Sequence, residues 1–257
     1  MYPSPSNVDV LPATAPPEPM APASVPSGLE SLYNVNHLSV EQSLSCCGVF
    51  TTYETRKEYS IKNIKGQILY GAKETTDCLT RQCWRSARPA RFKIVDHTKK
   101  EVVHMRRPLS CSSCWIPCCL QSIEVSMPKG ETLGSVRQRW SPIRPLFHVI
   151  NEYGKTVLKI SGPCYIQCCS FCNCEVHYKI LAVDGSKIGR ITKLWSGVFR
   201  ELFSDSNNYD IKFPPDLDVK IKAVLLAACF LIDLMYFSGR TRIPLKLQTQ
   251  LNAICLI

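Results

Sequence analysis

The sequence predicts a mainly β protein: a closed barrel of about twelve antiparallel strands around a hydrophobic C-terminal helix. Three observations lead there. Alternating apolar and polar runs repeatedly straddle turn residues, the strand-turn-strand signature. There are too many such runs for a small sandwich, and closing the sheet removes its exposed edges. A run that is apolar on every side follows the last of them, and such a helix has to be enclosed.

Residues 1 to 28 hold eight prolines and no apolar period, which predicts a disordered Pro-rich leader. Residues 29 to 50 read as a short helical or irregular lead-in ending at Cys46-Cys47-Gly48. Hairpins follow. Tyr59–Ile64 meets Gln67–Tyr70 across Lys65-Gly66, and Arg91–Val95 meets Glu101–Met105. Ile123–Val125 meets Thr132–Val136 across Pro128–Gly130, and Phe147–Ile150 meets Thr156–Ile160. Glu175–Ile180 meets Lys187–Ile191 across Asp184-Gly185. A sixth pair is expected from Val198–Phe203 to Tyr209–Phe213.

The barrel domain is assigned to 29–238, with its helix at about 219–237 and an atypical tail at 239–257. The run Ala223–Phe237 would make a helix of about 22 Å, short of the roughly 30 Å hydrocarbon core. Asp233 inside it is costly in lipid without a partner. Burial within the barrel is the favoured reading, and a single membrane span the alternative.

The formal charge is +10, which suits a polyanionic neighbour: an anionic phospholipid membrane or nucleic acid. Residues 81 to 107 concentrate it in Arg81, Arg85, Arg88, Arg91, Lys99, Lys100, Arg106 and Arg107, although a solvated strand face reads the same way. The first residues carry no basic and apolar leader pattern, so a reducing compartment is expected for the fifteen cysteines. Clustered cytosolic thiols then mean acylation, metal binding or burial. His104, His148 and His177 are scattered, and neither a phosphate loop nor Gly-x-Ser-x-Gly occurs, which excludes the common hydrolase and kinase chemistries.

Cys111, Cys114, Cys118 and Cys119 lie close together beside Arg106 and Arg107, a pattern suited to multiple palmitoylation at a membrane. Zinc on Cys111-x-x-Cys114 and Cys169-x-x-Cys172 is the weaker alternative, because more than fifty residues separate the pairs. The stretch Asp205–Asp216 offers Asp205, Asn207, Ile211 (through its backbone oxygen) and Asp216 as oxygen ligands for calcium. The alternative is an acidic turn with Asp216 or Asp218 capping the helix.

The order of Arg107–Gln121, Ile160–Cys164, Asp205–Asp218 and the apolar run closely resembles the phospholipid scramblases, over about residues 29 to 238. The resemblance implies a barrel shared with the tubby-like proteins, palmitoylated cysteines, an EF-like calcium loop and calcium-dependent, ATP-independent lipid movement between leaflets. Trp115 and Ile116 stand where the family carries further cysteines, which leaves fewer acceptors. The segment Gly189–Val198, with Gly189, Arg190, Lys193 and Trp195, is similar to the family's non-conventional nuclear import segment and implies an importin-type partner. The expected location is the cytoplasmic face of the plasma membrane, with the nucleus when acylation is absent. An acylated adaptor or lipid-regulated DNA-binding factor is the second reading, and the sequence leaves oligomerisation open.

Overall fold

The computed structural model describes residues 25–43, 57–77, 89–109, 120–164, 175–194 and 207–237. Twelve strands form one closed antiparallel barrel, each pairing with its neighbours in sequence and the last closing on the first. They are β1 (His37–Ser43), β2 (Glu58–Lys62), β3 (Ile68–Glu74), β4 (Ala90–Asp96), β5 (Glu101–Arg107) and β6 (Ser122–Ser126). The circuit continues with β7 (Thr132–Arg139), β8 (Leu146–Asn151), β9 (Thr156–Ser161), β10 (Val176–Ala182), β11 (Lys187–Leu194) and β12 (Asn208–Lys212). The fold class and the first five expected hairpins are as the alternation predicts.

Two expectations change. The lead-in holds only a 3-10 turn, Glu30–Leu32, before His37–Ser43 forms a full strand. Leu38 and Val40 alternate with polar neighbours and point into the core, so period 2 governs there. β12 pairs with β11 and β1, whereas its expected partner Val198–Phe203 lies outside the described residues. The leader up to residue 24 and the tail from 238 lie outside them too.

Helix α1 (Val219–Ile232) fills the barrel, continued by one wider π-type turn, Asp233–Phe237. Asp218 caps it, its carboxylate accepting from the amides of Lys220 and Ile221 at 2.6 and 3.3 Å. Every α1 side chain except Lys220 is buried, because inward residues of the strands surround it on all sides. The helix packs most closely on β6, β7 and β8. Gly134 of β7 permits that approach: at φ 153°, a Cβ there would stand 2.4 Å from the Ile150 oxygen and 3.0 Å from Val224 Cγ2. No described helix is long and apolar enough to cross a membrane.

Candidate functional site

Strand direction sorts the connections onto two ends. Residues 63–67, 97–100, 127–131, 152–155 and 183–186 make short turns at one end. Residues 44–57, 75–89, 108–121, 140–145, 162–175 and 195–207 join strands at the other, mostly over longer stretches. Helix α1 starts at the short-turn end, after β12, and finishes at the long-connection end.

Each end of the helix carries one buried charge. At the short-turn end Lys222 donates to the carbonyls of Leu32, Tyr33 and Pro215 at 3.1, 2.8 and 2.8 Å. These bonds tie the lead-in to the helix, and burial lowers the lysine's proton affinity. At the long-connection end stands Asp233, with no exposure to solvent. A carboxylate at a helix C-terminus opposes the macrodipole, so strong donors have to hold it. They come from β2, β12 and the residue just before each. Lys57, just before β2, forms an ion pair with it. Tyr59 of β2 and Tyr209 of β12 donate their hydroxyls at 2.7 Å, and the Asn207 amide donates at 2.8 Å. Burial alone would raise the Asp233 pKa, but the Lys57 charge and the hydroxyl donors outweigh it and hold the carboxyl below its ordinary range. Burial and the same carboxylate push the Tyr59 and Tyr209 hydroxyls well above theirs.

The structure separates the three calcium candidates that it describes. Asp205 lies outside the described residues. Asn207 points its amide at Asp233 at one end of β12, and Asp216 is exposed beyond the other end. A five-residue strand spans about 17 Å. Ile211 stands between β1 and β11, where central-strand carbonyls serve the sheet ladder. Asn207, Ile211 and Asp216 therefore do not converge on one ion, and among the described residues no three His, Cys, Asp or Glu side chains do.

Cys111, Cys114, Cys118 and Cys119 lie outside the described residues, as do the zinc pair Cys169 and Cys172, Trp195, Arg81, Arg85 and Arg88. In the import-like segment, Gly189, Arg190 and Lys193 belong to β11, paired on both sides. Gly189 is required there, since a Cβ would meet the Lys212 oxygen at 2.2 Å. Lys193 turns over the Phe237 ring at 4.8 Å, while Arg190 is exposed. Of the basic patch, Arg91 and Arg106 stand opposite each other on the outer faces of β4 and β5. Lys99 and Lys100 occupy the short turn between those strands. Arg107 turns inward, 1% exposed, with Nε and Nη2 donating to Gln121 at 3.0 and 2.7 Å. The described part of the patch is thus split between two ends and two faces.

The sequence positions of the cysteines follow the topology, although of those between strands only Cys164 is among the described residues. Cys46, Cys47, Cys78, Cys83, Cys111, Cys114, Cys118, Cys119, Cys164, Cys168, Cys169, Cys172 and Cys174 all fall in connections that leave the long-connection end. Among the described residues no strand and no short turn contains one. The family profile described as Scramblase matches residues 16–239. The chain belongs to the scramblase family. It is 46% identical to human phospholipid scramblase 1 over 224 residues, covering 87% of this chain and 70% of that protein. Bovine phospholipid scramblase 2 is 44% identical over 235 residues, covering 91% and 78%. Human phospholipid scramblase family member 5 is 37% identical over 217 residues, covering 83% and 78%. A solved protein from Arabidopsis thaliana is 12% identical with a TM-score of 0.43, covering 81% of this chain and 98% of that one.

Two cysteines give a local test of this scramblase barrel. Cys229 is enclosed in α1, and burial, then Asp233, pushes its thiol well above the ordinary range. Cys164 is exposed after β9. In native protein a maleimide should label Cys164 within minutes and leave Cys229 unlabelled until denaturant is added, as read by peptide mass mapping. Rapid native labelling of Cys229 would mean that the helix leaves the barrel.

Sequence reasoning missed Lys57 and Asn207 as partners of Asp233. The isolated acid within an apolar run signalled that a partner was needed, but not which one.

Proposed function

We propose that this protein promotes ATP-independent movement of phospholipids between bilayer leaflets, held by palmitoylated Cys111, Cys114, Cys118 and Cys119 at the cytoplasmic face of the plasma membrane. The observation that carries the reading is the sorting of cysteines to one barrel end. Acyl chains on those connections would pull a single face toward the lipid, and two or more chains anchor far more durably than one. The relatives' name, phospholipid scramblase, supplies the activity. The barrel interior is filled by α1 and offers no polar path for a headgroup, so movement would come from disturbing the bilayer beside the docked face. The same filled interior favours a second reading, an acylated membrane adaptor or nuclear DNA-binding factor without lipid flux.

Proteoliposomes carrying labelled phospholipid decide between them, with calcium as a variable and Asp205→Ala, Asp216→Ala as the carboxylate control. Flux above protein-free vesicles is the expected result, and its dependence on calcium and the two carboxylates would establish the ion's part. Flux equal to protein-free vesicles in both conditions would sink the lipid-movement reading and leave the adaptor. Replacing the four cysteines by serine should shift the protein from membrane to soluble fractions, because each lost acyl chain removes about 0.8 kcal/mol per buried methylene.

A further inference from the structure

We propose that the β7–β8 connection, Trp140 to Pro145, is an interfacial wedge that seats the long-connection end of the barrel in an anionic phospholipid bilayer. The proposal rests on the membrane reading above and adds the surface that meets the lipid.

Trp140 and Ile143 are 51% and 62% exposed at the tip of this connection. Pro142 and Pro145 stiffen it, so presenting the two side chains costs little ordering. Leu109, 53% exposed at the end of β5, lies on the same end two strands away, at about 10 Å of strand spacing. Tryptophan prefers the headgroup level of a bilayer, where its ring is apolar and its N–H stays wet. Around it the charge is of one sign. Arg137, Arg139 and Arg144 are exposed, and no carboxylate occurs from Arg137 through His148. On β6 Glu124 stands opposite Ser135, two residues further from this end than Arg137. Each arginine near an anionic leaflet adds to the attraction.

The other barrel end supplies the contrast. Ile64, Tyr153 and Val183 are also exposed there. They share the end with charges of both signs: Asp96, Glu131, Glu152, Asp184, Asp216 and Asp218 interleave with Lys65, Lys99, Lys100, Lys129 and Lys155, and Lys220 pairs with Glu131 and Glu152. Exposed apolar tips occur at both ends, but among the described residues the Trp140 connection joins them to three exposed arginines with no carboxylate in the same segment, on the end from which the cysteine connections leave.

The test uses the full chain without acylation and vesicles of phosphatidylcholine with or without phosphatidylserine. Trp140→Ser with Ile143→Ser should lower partition onto the serine-containing vesicles at least about tenfold. Ile64→Ser with Tyr153→Ser should change it less than about twofold, and Arg139→Ala with Arg144→Ala should remove the preference for anionic lipid. Equal losses for the two apolar pairs, or none for the Trp140 pair, overturn the wedge. An independent readout keeps Trp140 as the sole tryptophan, with Trp84, Trp115 and Trp195 changed to Phe. Quenching of its fluorescence by brominated lipid is expected, and no quenching overturns the proposal. So does a Trp140-dependent dimer, seen by ultracentrifugation, that leaves vesicle binding unchanged in the serine variants. Quenching in vesicles that show no lipid flux supports the wedge and removes only the lipid-movement reading.

Discussion

Asp233→Ala should destabilise the barrel by about 3–5 kcal/mol, read as a lower urea midpoint at unchanged slope. The substitution leaves the Lys57 ammonium without its counter-charge beneath the long-connection end, and strips the Tyr59 and Tyr209 hydroxyls of their acceptor. Each buried group that loses this partner carries a desolvation cost that the pairing had offset. The double variant Lys57→Met, Asp233→Leu should recover the part of the loss due to the buried ammonium, but not the part due to Tyr59, Tyr209 and Asn207, which still lose their acceptor. A cost below about 1 kcal/mol for Asp233→Ala would mean that water reaches the site.

The pair also fixes the sign of an acid effect. The Asp233 carboxyl titrates below its ordinary range in the fold, so the unfolded chain binds its proton more readily. Its stabilising contribution is whole above the unfolded value of about 4, and is lost as pH falls through the lower folded value. Wild type should therefore lose stability more steeply below about pH 4 than the Lys57→Met, Asp233→Leu variant. Parallel curves would assign acid sensitivity to other carboxylates.

How much of this was legible before the coordinates depends on the range over which each feature is decided. The five hairpins were legible because alternation and turn residues are local, as in Ala182–Lys187, where Gly185 takes φ 92°. The helix was legible from its length and all-round apolarity. β1 was not, since a strand of seven residues carries only Leu38 and Val40 as fully buried markers, and its partners β2 and β12 are set by closure of the barrel. The stretch from Asp205 to Asp216 allowed two readings at once, a ligand loop by its oxygens and a strand by Tyr209 and Ile211. Burial of those two side chains decides for the strand and sends Asn207 and Asp216 to opposite ends. The Lys57–Asp233 pair joins residues 176 apart in sequence, a separation over which no local pattern carries information.

Phe230→Ala is the second large effect, and it bears on mechanism. Phe230 has no solvent exposure and lies 4.7 Å from the Tyr59 ring of β2 and 5.1 Å from Phe92 of β4, where α1 meets the wall opposite its closest packing. Truncating a ring so enclosed removes its transfer free energy and leaves a cavity, about 3–5 kcal/mol together. Phe230→Leu, which keeps most of the volume, should cost less than about 1.5 kcal/mol. The consequence for lipid movement separates two pictures. If headgroups travelled through the barrel, widening its interior at Phe230 would raise flux per folded molecule. If the barrel acts as a plugged body docked by one end, flux should stay level per folded molecule while the folded fraction falls. We expect the second outcome, measured as labelled-lipid flux normalised to protease-resistant protein in the same vesicles. A rise of threefold or more over wild type would place the path along the helix. It would also require the polar groups around Asp233 to be reachable by lipid, which their burial behind Lys57 and the two tyrosines opposes.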